Sequence, residues 1–186
     1  MVITDRPGNA LDIVELRDHD PSWKVIFDEE KAFLSDALGP WVVTIEHVGS
    51  TAVPGLRAKP VIDILVTVEN LRLEDVEGGL VTLHYIHVPI DDPGRLFFRK
   101  GMPRTHHVHV VLHGGEEHRK HLLFRDRLIA HPEEAADYQR LKEELARRYR
   151  EDREAYTEGK DRFIRSMLER AGREGRPSSE EAGRTQ

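Results

Sequence analysis

The chain of 186 residues contains no cysteine. Disulfide bonds, thiolate metal sites and cysteine nucleophiles are therefore excluded. The chain also lacks any apolar run near the roughly 18 residues that span a membrane. Residues 1–6 show neither the basic segment nor the apolar core of a secretory signal peptide. These absences predict a cytoplasmic protein without a membrane partner.

The chain also has fewer basic residues than acidic ones. Lysine and arginine total 28 against 34 aspartates and glutamates, which gives a net charge of -6 and a pI of about 6.0. The basic excess that binds long nucleic acids is absent from the chain as a whole, but a local phosphate site needs only a few cations. The P-loop (Walker A) motif Gly-x-x-x-x-Gly-Lys-[Ser/Thr], which binds nucleotide phosphates, is absent as well. The net charge therefore argues against binding of long nucleic acids but is compatible with a compact phosphate-binding site.

Hydrophobic periodicity predicts a helix followed by a group of strands. Asp20 and Pro21 precede an amphipathic helix over 21–38. The residues on its predicted apolar face are Trp23, Ile26, Phe27, Phe33, Leu34, Ala37 and Leu38. β-Branched and alternating stretches predict strands over 41–48 and 61–68 and weaker strands near 83–88, 96–99 and 105–112.

The second half of the chain turns helical, with helices predicted over 117–130, from Pro132 onward and over 151–171. This order predicts an α+β fold in which a small mixed or antiparallel sheet is flanked by helices, with a helical C-terminal part. One domain is expected over 1–171. Residues 172–186 are rich in Gly, Ser, Glu and Arg and predict a disordered tail.

The first candidate site is the turn Gly49-Ser50-Thr51, which leaves one strand and leads to Asp63 on the next. Such a turn lets backbone N–H groups and a hydroxyl approach a phosphate, and Lys59 on the return path adds a positive charge. The alternative is a glycine-rich connection whose hydroxyls only hydrogen-bond the turn. A carboxylate within the apolar run Val61–Val66 is costly unless it is compensated, so Asp63 favours a functional site.

Residues 46–64, EHVGSTAVPGLRAKPVIDI, closely resemble the signature of the GrpB family, approximately E-H-[IV]-G-S-T-[SA]-V-P-G-L-x-A-K-P-[IV]-I-D-I. Further matches lie at 18–23, 107–109, 124–126, 141–142 and 156–164, so the resemblance covers about residues 12 to 170. GrpB proteins look like members of the nucleotidyltransferase superfamily. Its hallmark is a Gly-Ser turn followed by Asp-x-Asp or Asp-x-Glu on the next strand. Here Leu65 replaces the second carboxylate, which puts standard two-metal transfer in doubt.

A histidine pair could repair that gap. His107 and His109 alternate on one face of a strand and could converge with Asp63 on one ion or phosphate. We therefore group Asp63, His107 and His109 as candidate catalytic residues and as ligands of Mg²⁺ or Mn²⁺. The alternative is a strand that carries histidines on its wet face. His106 and His113 are interpreted as surface residues.

Two more cations are candidates for ligand binding. Lys160 lies on the apolar stripe of the last helix, four residues after Tyr156, and either extends to solvent or points at an anion in a cleft; the GrpB-like Tyr156 and Lys160 pairing favours the cleft. Arg125 either binds the ligand or forms an ion network with Asp126. The charged run over 147–154 is interpreted as a solvated face.

Three functions are compatible with these residues. The first is a nucleotidyltransferase-like protein that binds a nucleotide or phosphorylated small molecule through Gly49, Ser50, Thr51, Lys59, Arg125 and Lys160, with metal-dependent transfer to an unknown acceptor. The second is a non-catalytic phosphate-binding or accessory domain, of the kind found fused to dephospho-CoA kinases in the family that this sequence resembles. A one-metal phosphohydrolase built on Asp63, His107 and His109 is a third interpretation.

Overall fold

Five strands and five helices make up residues 13–174, the part of the chain that the computed structural model describes. The strands are β1 Val42–Val48, β2 Ile62–Val68, β3 Ile86–His87, β4 Arg95–Lys100 and β5 His106–Leu112. The helices are α1 Ser22–Leu38, α2 Leu73–Thr82, α3 Glu116–Ala130, α4 Pro132–Arg148 and α5 Arg153–Glu174. The predicted α+β fold is confirmed.

The sheet has the strand order β1-β2-β5-β4-β3. β2 and β5 run parallel, and the other neighbouring pairs are antiparallel. Val48 pairs with Asp63, and Asp63 pairs with His107. The register therefore places the end of β1 and the beginnings of β2 and β5 side by side at one end of the sheet.

The two faces of the sheet pack against different helices. Alternate residues of β2 and β5, such as Ile64 and Val108, join α1 and α2 in the largest hydrophobic cluster. Side chains alternate between the faces of a strand, so Asp63, His107 and His109 project from the opposite face. The three C-terminal helices lie on the side of these polar residues.

The core face of α1 is narrower than the sequence indicated. Trp23, Phe27 and Leu34 are buried, but Ile26 is 37% and Phe33 57% exposed. A single helix buries one stripe at spacings of three and four residues, and Glu30 occupies that stripe. Its carboxylate binds Lys100 Nζ at 2.7 Å, which compensates its burial.

The sequence reasoning missed α2 altogether. Gly78 and Gly79 weaken its helix propensity, which hid the helical pattern between the strands. A Cβ atom at Gly79 would lie 2.5 Å from the Ala37 carbonyl oxygen. Glycine therefore lets α2 pack closely on α1, and tertiary packing outweighs the local propensity.

The C-terminal boundary needs a small correction, because α5 continues to Glu174 and so includes the first residues of the predicted tail. The rest of that tail, and residues 1–12 of the predicted domain, lie outside the described residues. Within 13–174, none of the helices combines the length and the apolar character needed to cross a membrane.

Candidate functional site

Asp63 lies beside the Gly49-Ser50 turn, close to where β1 ends and β2 begins. Gly49 has a φ of 72°, and a Cβ atom there would lie 2.4 Å from Asp63 Oδ2. Glycine satisfies both conditions, because other residues rarely adopt this backbone conformation and the carboxylate fills the space. The sequence interpretation was that this glycine admits a phosphate; the structure shows that it makes room for the Asp63 carboxylate.

Two histidines of β5 direct ring nitrogens towards Asp63. His107 Nδ1 lies 2.9 Å from Asp63 Oδ1, and His109 Nε2 lies 3.9 Å from the same oxygen. Phe97 of β4 packs against both imidazoles with ring centroids 5.1 Å apart. The structure thus brings together the three residues that the sequence reasoning grouped.

A different arginine contacts each histidine and determines which of its two ring nitrogens carries a proton. Arg153 Nη2 is 3.3 Å from His107 Nε2, and Arg95 Nη1 is 3.1 Å from His109 Nδ1. Because a guanidinium has only N–H donors, each of these ring nitrogens accepts a hydrogen bond and carries no proton. The ring nitrogen that faces Asp63, Nδ1 of His107 and Nε2 of His109, is therefore the one that carries a proton in each ring.

These contacts explain how the carboxylate tolerates its position. Burial raises the pKa of Asp63, but hydrogen bonding to His107 and His109 outweighs burial and holds the pKa well below the usual 3.8. Burial lowers the pKa of His107 to about 4, against the opposing effect of Asp63. At neutral pH the site thus contains an ionised carboxylate and a neutral His107.

This arrangement does not fit the Mg²⁺ or Mn²⁺ site predicted from the sequence. Mg²⁺ prefers six oxygen ligands, whereas the predicted set offers one carboxylate, which His107 already hydrogen-bonds, and two imidazoles. Leu65, at the position of the second carboxylate, is fully buried. Across residues 13–174, no three histidine, aspartate or glutamate side chains are placed to share a metal ion. Instead, His107 hydrogen-bonds Asp63, and His109 directs its Nε2 towards the same carboxylate from 3.9 Å.

Cations surround two tyrosines next to this set. Lys59 Nζ and Lys160 Nζ lie 4.8 Å and 4.6 Å from the ring centroid of Tyr156, which is buried. Lys142 Nζ lies 4.9 Å from the ring centroid of Tyr138 and donates to the Arg57 carbonyl oxygen. We call Lys59, Lys142, Lys160 and Arg153 the cation group.

Two lysines of the cation group are costly to keep charged. Burial lowers the pKa of Lys160 to about 8, against the attraction of Asp63. Burial, followed by repulsion from Lys160, lowers the pKa of Lys142 to about 7. The sequence reasoning found Lys160 but missed Lys142, although Lys142 lies on α4 beside the apolar stripe of Tyr138 and Leu145. A lysine on an apolar stripe was the signal in both helices.

The two hydroxyls of the turn have different surroundings. Ser50 lies next to Tyr138, where it opposes the rise in the Tyr138 pKa that burial causes. Thr51 is buried, and its Oγ1 lies 2.9 Å from His47 Nε2 and donates to the Val61 carbonyl oxygen. Ser50 therefore lies at the candidate site, whereas the Thr51 hydroxyl is used to hold the turn and does not support the predicted ligand contact.

Arg125 follows the alternative interpretation, a structural ion network. Its guanidinium donates to Glu46 Oε2 and to the His47 carbonyl oxygen, both at 3.1 Å, and to Asp126 Oδ1 at 2.7 Å. The two bonds to Glu46 and His47 tie α3 to β1, and the bond to Asp126 lies within α3. The predicted role of Arg125 in ligand binding is therefore not supported.

Other charged and histidine side chains also differ from expectation. His106 is buried rather than on the surface, with its Nδ1 2.9 Å from Thr105 Oγ1. His121 of α3 stacks 4.8 Å from His109, and burial lowers its pKa to about 3. Arg153 leaves the solvated face assigned to 147–154 and reaches His107. Sequence spacing gives no signal for such contacts between distant elements.

The chain matches the family model described as GrpB protein over residues 13–170. It is 44% identical to a UPF0157 protein from Pseudomonas aeruginosa over 86% of this chain and 68% of that protein. It is 37% identical to the UPF0157 protein YqkA from Bacillus subtilis, of which it spans only 48%. The crystal structure of the conserved protein GrpB from Enterococcus faecalis superposes with a TM-score of 0.77 at 34% identity, covering 86% of this chain and 98% of that one.

A longer relative carries a functional name. The chain is 30% identical to a protein from Mycolicibacterium paratuberculosis named dephospho-CoA kinase, over 85% of this chain but 46% of that protein. The chain thus spans less than half of the kinase. Together, the match over residues 13–170, the relatives and the shared fold show that this protein belongs to the GrpB family.

Proposed function

We propose that this protein binds a phosphorylated small molecule, a nucleotide or a comparable metabolite, at the cation group beside Asp63. The observation that carries the proposal is the pair Lys142 and Lys160. Among residues 13–174, no carboxylate forms an ion pair with either ammonium. Within this part of the chain, Asp63 attracts Lys160 and Glu143 attracts Lys142, but neither attraction offsets the cost of burying the ammonium group.

An anionic ligand supplies that compensation. A buried cation is costly unless an opposite charge is near, and the cation group contains four cations. Asp63 is the carboxylate at its centre, and His107 and His109 already donate towards it. A phosphate between Lys59, Lys160 and Arg153 would offset the burial, and the smaller repulsion between cations, that lower the lysine pKa values.

The chemistry of the donors favours phosphate over other anions. Lysine ammonium groups act as compact charges, and the Arg153 guanidinium can bind two phosphate oxygens at once. Ser50 adds a hydroxyl at the start of a short 3-10 turn, Ser50–Ala52. The resemblance to nucleotidyltransferases favours a nucleotide within this class.

Nucleotidyl transfer is the second candidate. It is favoured by the adjacency of Ser50 and Asp63, because the superfamily that the family resembles uses such a turn and carboxylate. This reaction needs a divalent cation, for which the site offers one carboxylate. An accessory role, like the one suggested by the relative named dephospho-CoA kinase, requires phosphate binding alone and agrees better with the donors present.

Thermal unfolding with ADP or inorganic pyrophosphate tests the proposal, in EDTA and in MgCl₂. We expect both ligands to stabilise the protein in EDTA, by about 2.7 kcal/mol when the ligand is present at about 100 times its Kd. Lys160→Met should abolish this stabilisation without unfolding the protein, since it removes a desolvated charge. Lys24→Met, at a lysine whose side chain is 66% exposed on α1, is the matched control.

The outcomes separate the candidates. Stabilisation in EDTA that depends on Lys160 supports anion binding by the cation group. Stabilisation that requires MgCl₂ supports the transferase and contradicts our proposal. Equal stabilisation of the Lys160→Met and Lys24→Met variants would show that the ligand binds elsewhere.

A further inference from the structure

The proton positions around Asp63 leave one nitrogen without a proton on the side of the cation group. His107 donates through Nδ1 to Asp63, 2.9 Å away, so that its Nε2 keeps a lone pair. Arg153 of α5 lies 3.3 Å from this Nε2. The lone pair therefore points towards the helix that also carries Lys160.

The other identified groups at this point act mainly as donors. Lys59 and Lys160 have ammonium groups, Arg153 has a guanidinium, and none of these can accept a hydrogen bond. They suit phosphate oxygens, which only accept. His107 Nε2 has the opposite character, because a neutral imidazole nitrogen without a proton accepts from an O–H or N–H group.

We propose that His107, oriented by Asp63, binds a hydroxyl group of the ligand next to its phosphate. This inference rests on the proposed function and narrows its ligand class. A phosphorylated sugar, a phosphorylated polyol or a nucleotide with its ribose carries such a hydroxyl, whereas inorganic phosphate and simple phosphate esters offer none beside the phosphate. Asp63 is the positioning residue, since it holds the Nδ1 proton.

When the phosphate binds, the Arg153 guanidinium leaves His107 Nε2 and hydrogen-bonds the phosphate instead. A guanidinium can form two parallel N–H···O bonds with the oppositely charged oxygens of a phosphate, whereas the neutral imidazole offers it a single uncharged acceptor. The present bond from Arg153 to the neutral His107 ring, at 3.3 Å, is long. Transfer of Arg153 to the phosphate therefore exposes Nε2 to a hydroxyl of the same ligand.

The test compares two phosphate monoesters by isothermal titration calorimetry, both in EDTA. Methyl phosphate has no hydroxyl outside its phosphate, and glycerol 1-phosphate has two. We expect glycerol 1-phosphate to bind about tenfold more tightly, the effect of one hydrogen bond to a buried acceptor. His107→Leu should remove this preference while methyl phosphate still binds. His113→Leu, at an exposed position just beyond β5, is the matched control and should keep it.

Nuclear magnetic resonance of the ¹⁵N-histidine-labelled wild-type protein tests the same inference without a substitution. We expect the His107 proton on Nδ1 and the His109 proton on Nε2 in the free protein. Glycerol 1-phosphate should shift the His107 Nε2 resonance more than methyl phosphate does. This measurement decides the case if His107→Leu fails to fold.

Three results would overturn the inference. These are equal affinity for the two esters, a preference that survives in His107→Leu, and a His107 proton on Nε2 in the free protein. Failure of both esters to bind would instead reject the phosphate site itself. The two proposals can therefore fail separately.

Discussion

Replacing Gly49 by alanine should cost far more stability than the same change at Gly55. Both glycines have a positive φ, 72° and 77° respectively. A Cβ atom at Gly55 would meet nothing within 4 Å, whereas one at Gly49 would lie 2.4 Å from Asp63 Oδ2. Gly49 also has a ψ of -168°, a region that is essentially restricted to glycine, so the difference between the two variants combines extra backbone strain with displacement of the carboxylate.

The expected magnitudes follow from the contacts. A residue with a side chain in the left-handed region costs roughly 1–2 kcal/mol, and this is the whole expected loss for Gly55→Ala. In Gly49→Ala the Asp63 carboxylate must also move away from His107. Loss of a hydrogen bond to a charged group costs about 1.5–3 kcal/mol. We expect Gly49→Ala to lower the free energy of unfolding by about 3–4 kcal/mol.

Urea unfolding followed by the fluorescence of the buried Trp23 measures both losses. Repeating Gly49→Ala in an Asp63→Ala background completes a double-mutant cycle. We expect the additional cost of Gly49→Ala to become smaller there, because the colliding carboxylate is gone and only the Cβ atom of residue 63, 2.9 Å from the added atom, remains in the way. Equal losses for Gly49→Ala and Gly55→Ala would refute the packing of Asp63 against the turn.

Two other predictions concern stability. His47 and His107 have pKa values of about 4 because burial disfavours their charged forms, whereas the unfolded chain titrates near 6.5. The unfolded chain then binds more protons between these values. The free energy of unfolding should therefore fall by up to about 3 kcal/mol per histidine as the pH drops from about 6.5 to 4. Urea unfolding at a series of pH values measures this dependence. A free energy of unfolding that does not change over this pH range would contradict the burial of both rings. Arg125→Met should lower the free energy of unfolding by about 2 kcal/mol, because Glu46 loses its partner. The affinity for ADP, measured by calorimetry, should not change. A weaker affinity would show that Arg125 contacts the ligand.

Much of the fold could be predicted from residue patterns. Strands β1 and β2 have strong β-branched signals, and the helical spacing around Tyr138 and Tyr156 indicated α4 and α5. Helix α2 could not be predicted, because its glycines are favoured by packing against Ala37 rather than by local propensity.

The candidate site was predicted in part. The long motif and the apolar surroundings of Asp63 marked the carboxylate, and the alternation of His107 and His109 marked its partners. Their hydrogen bonding to Asp63, rather than to a shared metal, depends on Arg153 and Arg95. Those arginines reach the site from another helix and another strand, and sequence spacing does not report such contacts.

The central claim is that an anionic ligand neutralises lysines that burial has weakened as bases. Calorimetry of glycerol 1-phosphate binding, repeated in buffers of different ionisation enthalpy, measures how many protons are taken up. We choose a pH of about 8 because the phosphate of the free ligand is already fully ionised at that pH. Because the pKa values of Lys160 and Lys142 are about 8 and about 7, a bound anion should raise both. We predict net proton uptake when the ligand binds to the wild-type protein. Binding without proton uptake, or with proton release, would contradict the account.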